Sequence, residues 1–177
     1  KGRSPITGTP CLGNVDLDER VEVVIGNHDR ELNVYDGWTG LPENSKIVEA
    51  EIYSSPALGK LSKTGTPDII FGTIYAELFA LEGSDLSVIW SWTEEGKLLY
   101  SSPALADLDG DNVAELLFTF LPGSLVVLKV GEAKGPYFWT YPAGETSPVV
   151  GDIDNDEELE ILVGGEEGLH AVDRNGE

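Results

Sequence analysis

The chain has 177 residues, 41% of them hydrophobic, and a formal net charge of −21 from 32 acidic against 11 basic side chains. That is enough apolar sequence for one domain with a core, and the acidic excess argues against nucleic acid or anionic lipid as partners, because both need a cationic surface. The longest apolar runs, such as "ELLFTFL", are too short to span a bilayer, so no membrane insertion is expected. The chain starts with Lys and contains no Met, which fits either a processed mature protein or a piece of a longer one.

Taken in chain order, the elements repeat. "TPCLGNVDLDERVEVVIG", "SPALGKLSKTGTPDIIFG", "SPALADLDGDNVAELLFT" and "SPVVGDIDNDEELEILVG" open at Pro10, Pro56, Pro103 and Pro148, spaced 46, 47 and 45 residues apart. In each unit a small apolar start leads through a loop into a strand: "VEVVIG", "DIIFG", "ELLFTF" or "LEILVG". A third strand follows as "ELNVYD", "ELFALEG", "LVVLKVG" or "GLHAVDR", and the first three units add a fourth, such as "VIWSW" or "PYFWTY". Val, Ile and aromatic residues dominate, Gly and Pro punctuate, and no segment sustains a helical period. Four short strands per unit of roughly 45 residues define a β-propeller blade. The expected fold is therefore all-β, a single propeller domain over 1–177 with repeats at approximately 1–53, 54–100, 101–146 and 147–177.

Cys11 forbids an internal disulfide by being alone, and in "TPCLGNV" it reads as a small core residue. His28 and His170 lie in different repeats without a nucleophile-and-base arrangement, and read as structural. The tryptophans Trp38, Trp90, Trp92 and Trp139, with Tyr137, Phe138 and Tyr141, are expected to pack between blades.

The loops after the first strand carry the chemistry. Asp107, Asp109 and Asp111 alternate with other residues, with Glu115 just beyond, and Asp152, Asp154, Asp156 and Glu160 repeat the arrangement. The first unit offers Asn14, Asp16, Asp18 and Glu22. Like charges so close together repel unless something positive sits between them. The recurring D-x-D-x-D-x-x-x-D/E pattern resembles the FG-GAP/VCBS repeats of integrin-α-like propellers, and the resemblance spans essentially the whole chain. It implies a Ca²⁺ ion caged by each such loop, about three ions in all, with the acids above as ligands.

Elementary coordination chemistry supports that implication. Ca²⁺ takes six to eight oxygens at about 2.3–2.6 Å in flexible geometry. Side chains at loop positions 1, 3 and 5 converge when the backbone curls; a carbonyl at position 7 (Arg20, Val113, Glu158) and a carboxylate at position 9 can complete the shell. The loops hold no His or Cys, which disfavours zinc and copper. The second unit has Lys60, Ser62, Thr64 and Asp68 at the equivalent places and should bind no metal. Position 6, where the backbone must turn tightly, holds Glu19, Asn112 and Glu157 in place of the glycine common in the family.

The last unit keeps only 29 residues after Pro148 and lacks a fourth strand. Either the N-terminal segment completes it and closes a small ring, or the chain is part of a larger propeller whose open edge pairs with another copy or chain. Two function classes follow. The resemblance implies a non-enzymatic, secreted or cell-surface module for adhesion, binding or structure, with a protein, a glycan or itself as partner. The alternative is the scaffold of a polysaccharide-active enzyme such as a lyase, or a quinoprotein-like dehydrogenase fragment, which would need basic residues converging on one face. The sequence shows no such cluster, and no catalytic residue is assigned.

Overall fold

A computed structural model describes residues 4–16, 18–61, 65–129, 137–165 and 167–177, and of residues 137–140 the backbone alone. All the described strands and sheets are antiparallel β. The first repeat forms β1 (Cys11–Gly13), β2 (Glu22–Gly26), β3 (Glu31–Asp36) and β4 (Pro42–Ile47). The second forms β5 (Ala57–Gly59), β6 (Asp68–Gly72), β7 (Glu77–Leu81) and β8 (Val88–Thr93). The third forms β9 (Ala104–Ala106), β10 (Glu115–Phe120), β11 (Ser124–Lys129) and β12 (Tyr137–Tyr141), and the last β13 (Val149–Gly151), β14 (Glu160–Gly165) and β15 (Gly168–Val172). Every repeat is its own up-and-down sheet, four-stranded in the first three and three-stranded in the last. The strands therefore build the blades of a propeller, as the repeats predict.

Packing explains the residue patterns. The second strand of an inner blade is covered on both faces, so β6 and β10 are buried along their whole length and read as continuous apolar runs. The outer strands β4 and β8 alternate between exposed and half-buried positions. Three clusters form the core, one at each blade junction. Val24, Leu32 and Val34 meet Ile69, Phe71 and Leu81. Ile70, Leu78 and Leu99 meet Leu116, Phe118 and Phe120. Leu117, Leu125 and Val127 meet Ile161, Val163 and Val172.

Among the described residues no cluster joins the last sheet to the first. Strand pairing puts Leu32, Leu78, Leu125 and Leu169 at equivalent places; the first three are fully buried by the following blade, whereas Leu169 is 74% exposed. The sheets thus form an open arc. The described N-terminal residues do not complete the last sheet. They lie on their own blade, where Pro5 O accepts from His28 N at 3.1 Å. In the second blade Glu51 O does the same for Ile74 N, at 2.9 Å. Leu98 O accepts from Leu121 N at 2.8 Å in the third, so in these three blades the segment leading into the blade supplies the acceptor that the second-to-third strand turn needs.

A hydroxyl ladder ties the blade starts together. Thr9 N donates to Ser55 Oγ at 2.8 Å, Ser55 N to Ser102 Oγ at 3.0 Å, and Ser102 N to Ser147 Oγ at 2.9 Å. Cys11 packs against the first cluster as expected, and burial pushes its thiol up to about 11. His28 bonds Thr7 and stacks on Tyr53, and His170 bonds Tyr141, both within the scaffold. Trp90 and Trp92 pack against the second cluster. Trp38 departs from expectation: it sits in the turn after β3 and is 88% exposed. The side chains of Tyr137, Phe138 and Trp139 lie outside the described residues.

Candidate metal centre

Each acidic loop bridges the first two strands of its blade, and its own side chains curl it. Asp107 Oδ1 accepts from the N–H groups of Gly110 and Asp111 at 2.7 and 3.1 Å, and its Oδ2 from Asn112 at 2.7 Å. Asp152 repeats this with Asn155, Asp156 and Glu157 at 2.6, 3.2 and 3.1 Å. At position 5, Asp18, Asp111 and Asp156 each accept from the N–H of position 7, which is Arg20, Val113 or Glu158. Such short side-chain-to-backbone bonds are what Asp contributes to a turn. Position 6 is left-handed in all three loops: φ is 72° at Glu19, 68° at Asn112 and 72° at Glu157. The sequence expectation of a tight turn there holds, and the two glutamates carry strain of about 1 kcal/mol each.

The carboxylate at position 9 does something the sequence did not reveal. Glu22, Asp68, Glu115 and Glu160 each accept, through one oxygen, the N–H of loop position 2: Val15 at 2.7 Å, Leu61 at 2.7 Å, Leu108 at 2.8 Å and Ile153 at 2.9 Å. One oxygen therefore staples the loop in every blade, including the second. In the first and third blades the other oxygen, Glu22 Oε1 and Glu115 Oε1, is buried without a hydrogen bond. Burial raises both carboxyls above the usual range, opposed by the stapling N–H and reinforced by the neighbouring aspartates.

The convergence expected of the loop acids occurs in part. Oxygens of Asp107, Asp109 and Glu115, and of Asp152, Asp154 and Glu160, all lie within 4.8 Å of one another. Asp111 and Asp156 stand outside those triplets. In the first blade the acidic triplet is Asp16, Asp18 and Glu43, without Glu22. Glu43 belongs to β4 and was missed by the sequence reading, because it is remote from the motif and reaches the site only through strand pairing. Its carboxyl is raised by burial and by Glu22 and Asp16 close by. In the second blade Ser62 and Thr64 lie outside the described residues, and no such triplet forms there among the described ones.

Cations of the chain itself enter this region. Arg20 Nη1 bonds Asp36 Oδ2 at 2.8 Å. Asp36 also caps the turn after β3 through the N–H groups of Trp38 and Thr39, so its carboxyl falls to about 2, chiefly from the Thr39 and Arg20 bonds. Lys129 Nζ lies 2.6 Å from both Asp109 Oδ2 and Asp111 Oδ2 and 3.6 Å from Glu115 Oε1. Nothing in "LVVLKVG" read alone announced this lysine; comparing the strand ends between repeats would have shown it.

The residues fit a hard divalent cation. The donors are all oxygens, they converge, and the buried Glu22 Oε1 has no hydrogen bond. Zinc or copper would call for His or Cys, and the described loop residues include neither.

No protein-family model matches this sequence, and no curated protein matches it. Solved structures do. BBS1N in complex with ARL6DN superposes with a TM-score of 0.73 at 17% identity, over 98% of this chain and 55% of that one. BamB from Moraxella catarrhalis gives 0.66 at 18%, over 97% and 47%. The V. cholerae biofilm matrix protein Bap1 gives 0.69 at 20%, over 95% and 27%. The chain spans about half the length of the first two. Together with the four sheets, these likenesses establish the β-propeller fold.

Proposed function

We propose that the chain is a calcium-stabilised propeller module of the FG-GAP/VCBS kind, non-enzymatic and extracellular, that serves adhesion, binding or structure. The observation that carries the reading is the buried Glu22 Oε1, which has no hydrogen bond and lies beside Asp16 and Asp18. A buried carboxylate oxygen left unsatisfied is costly, and a bound cation removes that cost. Asp16, Asp18, Glu43 and Glu22 would hold an ion in the first blade, the Asp107 loop in the third, and Asp152, Asp154 and Glu160 in the fourth. When bound, calcium supplies two positive charges at each place. Millimolar extracellular calcium suits loops of modest affinity, which supports the location.

Two surfaces support a partner. Leu12, Val21, Val23 and Trp38 line an apolar cavity of about 560 Å³ with Glu19 and Arg20 at its edge, suited to a protein side chain. A polar cleft of about 750 Å³ around Asn27, Asp29, Asn33 and Tyr35 suits a glycan. The BBS1N structure has a protein partner, which favours protein recognition by this scaffold. The basic side chains Arg20 and Lys46 of the first blade, Lys129 of the third and Arg174 of the fourth are engaged in separate contacts, which supports a non-enzymatic role. Calcium titration of chelator-treated protein, read by calorimetry, tests the proposal; absence of any binding heat or stabilisation refutes it.

A further inference from the structure

We propose that Lys129 is a tethered cation that takes the ion's place in the third blade, so that this loop binds calcium only when Lys129 is displaced. The inference rests on the reading that the acidic loops take divalent ions, and it refines their number. Lys129 lies directly opposite Glu115 in the strand pair β10–β11. The same place opposite Glu22 in the first blade holds Asp36. Extending the pairing by one residue puts Glu82 opposite Asp68 and Asp173 opposite Glu160. Three blades thus carry an acid where the third carries a base.

The acids at this place serve the turns around them. Asp36 accepts from Trp38 and Thr39, Asp173 from Asn175 and Glu177, and Glu82 from Thr66. Lys129 instead turns into the loop, between Asp109 and Asp111, with only 15% of its side chain exposed. It stands 3.6 Å from Glu115 Oε1, the buried oxygen that has no hydrogen bond. An ammonium among these oxygens and a divalent ion would occupy the same volume and repel each other. Occupancy of the two is therefore mutually exclusive. The fourth blade carries Asp173 at this place, and Arg174 beside it pairs with Glu158 at 3.6 Å, a residue outside the Asp152–Asp154–Glu160 triplet.

The test counts ions on the whole chain. Wild type, Lys129→Met and Lys129→Gln are stripped with chelator, checked for β-sheet circular dichroism, and dialysed against a calcium concentration that just saturates the tightest site. Bound calcium per chain is then measured by mass spectrometry. The expected result is one more ion in either variant than in wild type, with the added site at least about tenfold tighter than in wild type. Equal, non-zero counts in wild type and both variants would overturn the role of Lys129 while leaving the calcium reading standing. Zero ions in all three would overturn the calcium reading and this inference with it.

Discussion

Ser54 Oγ both accepts from Gly72 N at 3.0 Å and donates to Gly72 O at 2.9 Å, closing a two-way clasp in the buried interior. The third blade repeats it between Ser101 and Thr119, at 3.0 Å in each direction. In the fourth, Thr146 Oγ1 accepts from Gly164 N at 2.7 Å. In these three blades the pairing with the short first strand stops before the second strand ends, and a hydroxyl from the connecting segment satisfies the peptide left without a ladder partner. Ser54→Ala and Ser101→Ala should each lower stability by about 1–3 kcal/mol, because a buried N–H and C=O lose their partner. Urea unfolding midpoints measure this; a loss under half a kcal/mol in both would mean water takes over the clasp.

Ion removal should loosen the molecule. A ligand bound only by the folded state adds roughly 2.7 kcal/mol per site at a hundredfold excess over Kd. Scanning calorimetry with excess calcium and with excess chelator should show a lower Tm in chelator. Glu160→Gln should remove one ion and part of that difference, since Glu160 belongs to the fourth-blade triplet. Superimposable scans would leave the acids as solvated turn residues.

Acid should weaken the first blade through Asp36. Its folded carboxyl lies at about 2, below the ordinary 3.8, so the ionised form is favoured by folding. Its contribution is present above about pH 4 and disappears as pH falls toward 2. Asp36→Asn should lower Tm at neutral pH and narrow the gap to wild type as pH drops through that window. A gap that stays constant from pH 7 to pH 2 would show that the carboxylate charge contributes nothing.

Cys11 should be a sluggish nucleophile. With its thiol raised to about 11 from 9.0, the thiolate fraction near pH 8 falls roughly a hundredfold. Reaction with Ellman's reagent should be about that much slower folded than in denaturant. Equal rates would indicate that the first blade opens readily around Cys11.

The equivalent leucines test the open arc. Leu78→Ala, in a filled blade junction, should cost about 2–5 kcal/mol. Leu169→Ala, on the uncovered face of the last sheet, should stay within about 0.5 kcal/mol. A large cost at Leu169 accompanied by a larger particle in size-exclusion chromatography would mean that another copy covers that face in solution.

Much of this was legible in sequence because it is local and periodic. The spacing of Pro10, Pro56, Pro103 and Pro148 gave the blades, and the apolar runs at β6 and β10 coincide with the expected strands. The loop acids were found by repetition, and the tight turn at Glu19, Asn112 and Glu157 from the residue that usually sits there. What escaped depends on strand pairing. Glu43 joins Asp16 only because β4 pairs with β3, and Lys129 reaches Asp109 only because β11 pairs with β10. β4, "PENSKI", has no β-type composition and is a strand because its neighbour offers a free edge. Trp38 was misplaced because an aromatic in a turn carries no periodic signal saying which way it faces.

The three core clusters are each shared by two sheets and by no third. Cohesion in this arc is consequently pairwise, passed from one blade to the next as in a row of coupled units. The middle two sheets are held on both sides and the outer two on one. Amide exchange should then be slowest in β6 and β10 and quicken outward in both directions, and an ion seated in a terminal blade would steady the part of the arc that opens most often.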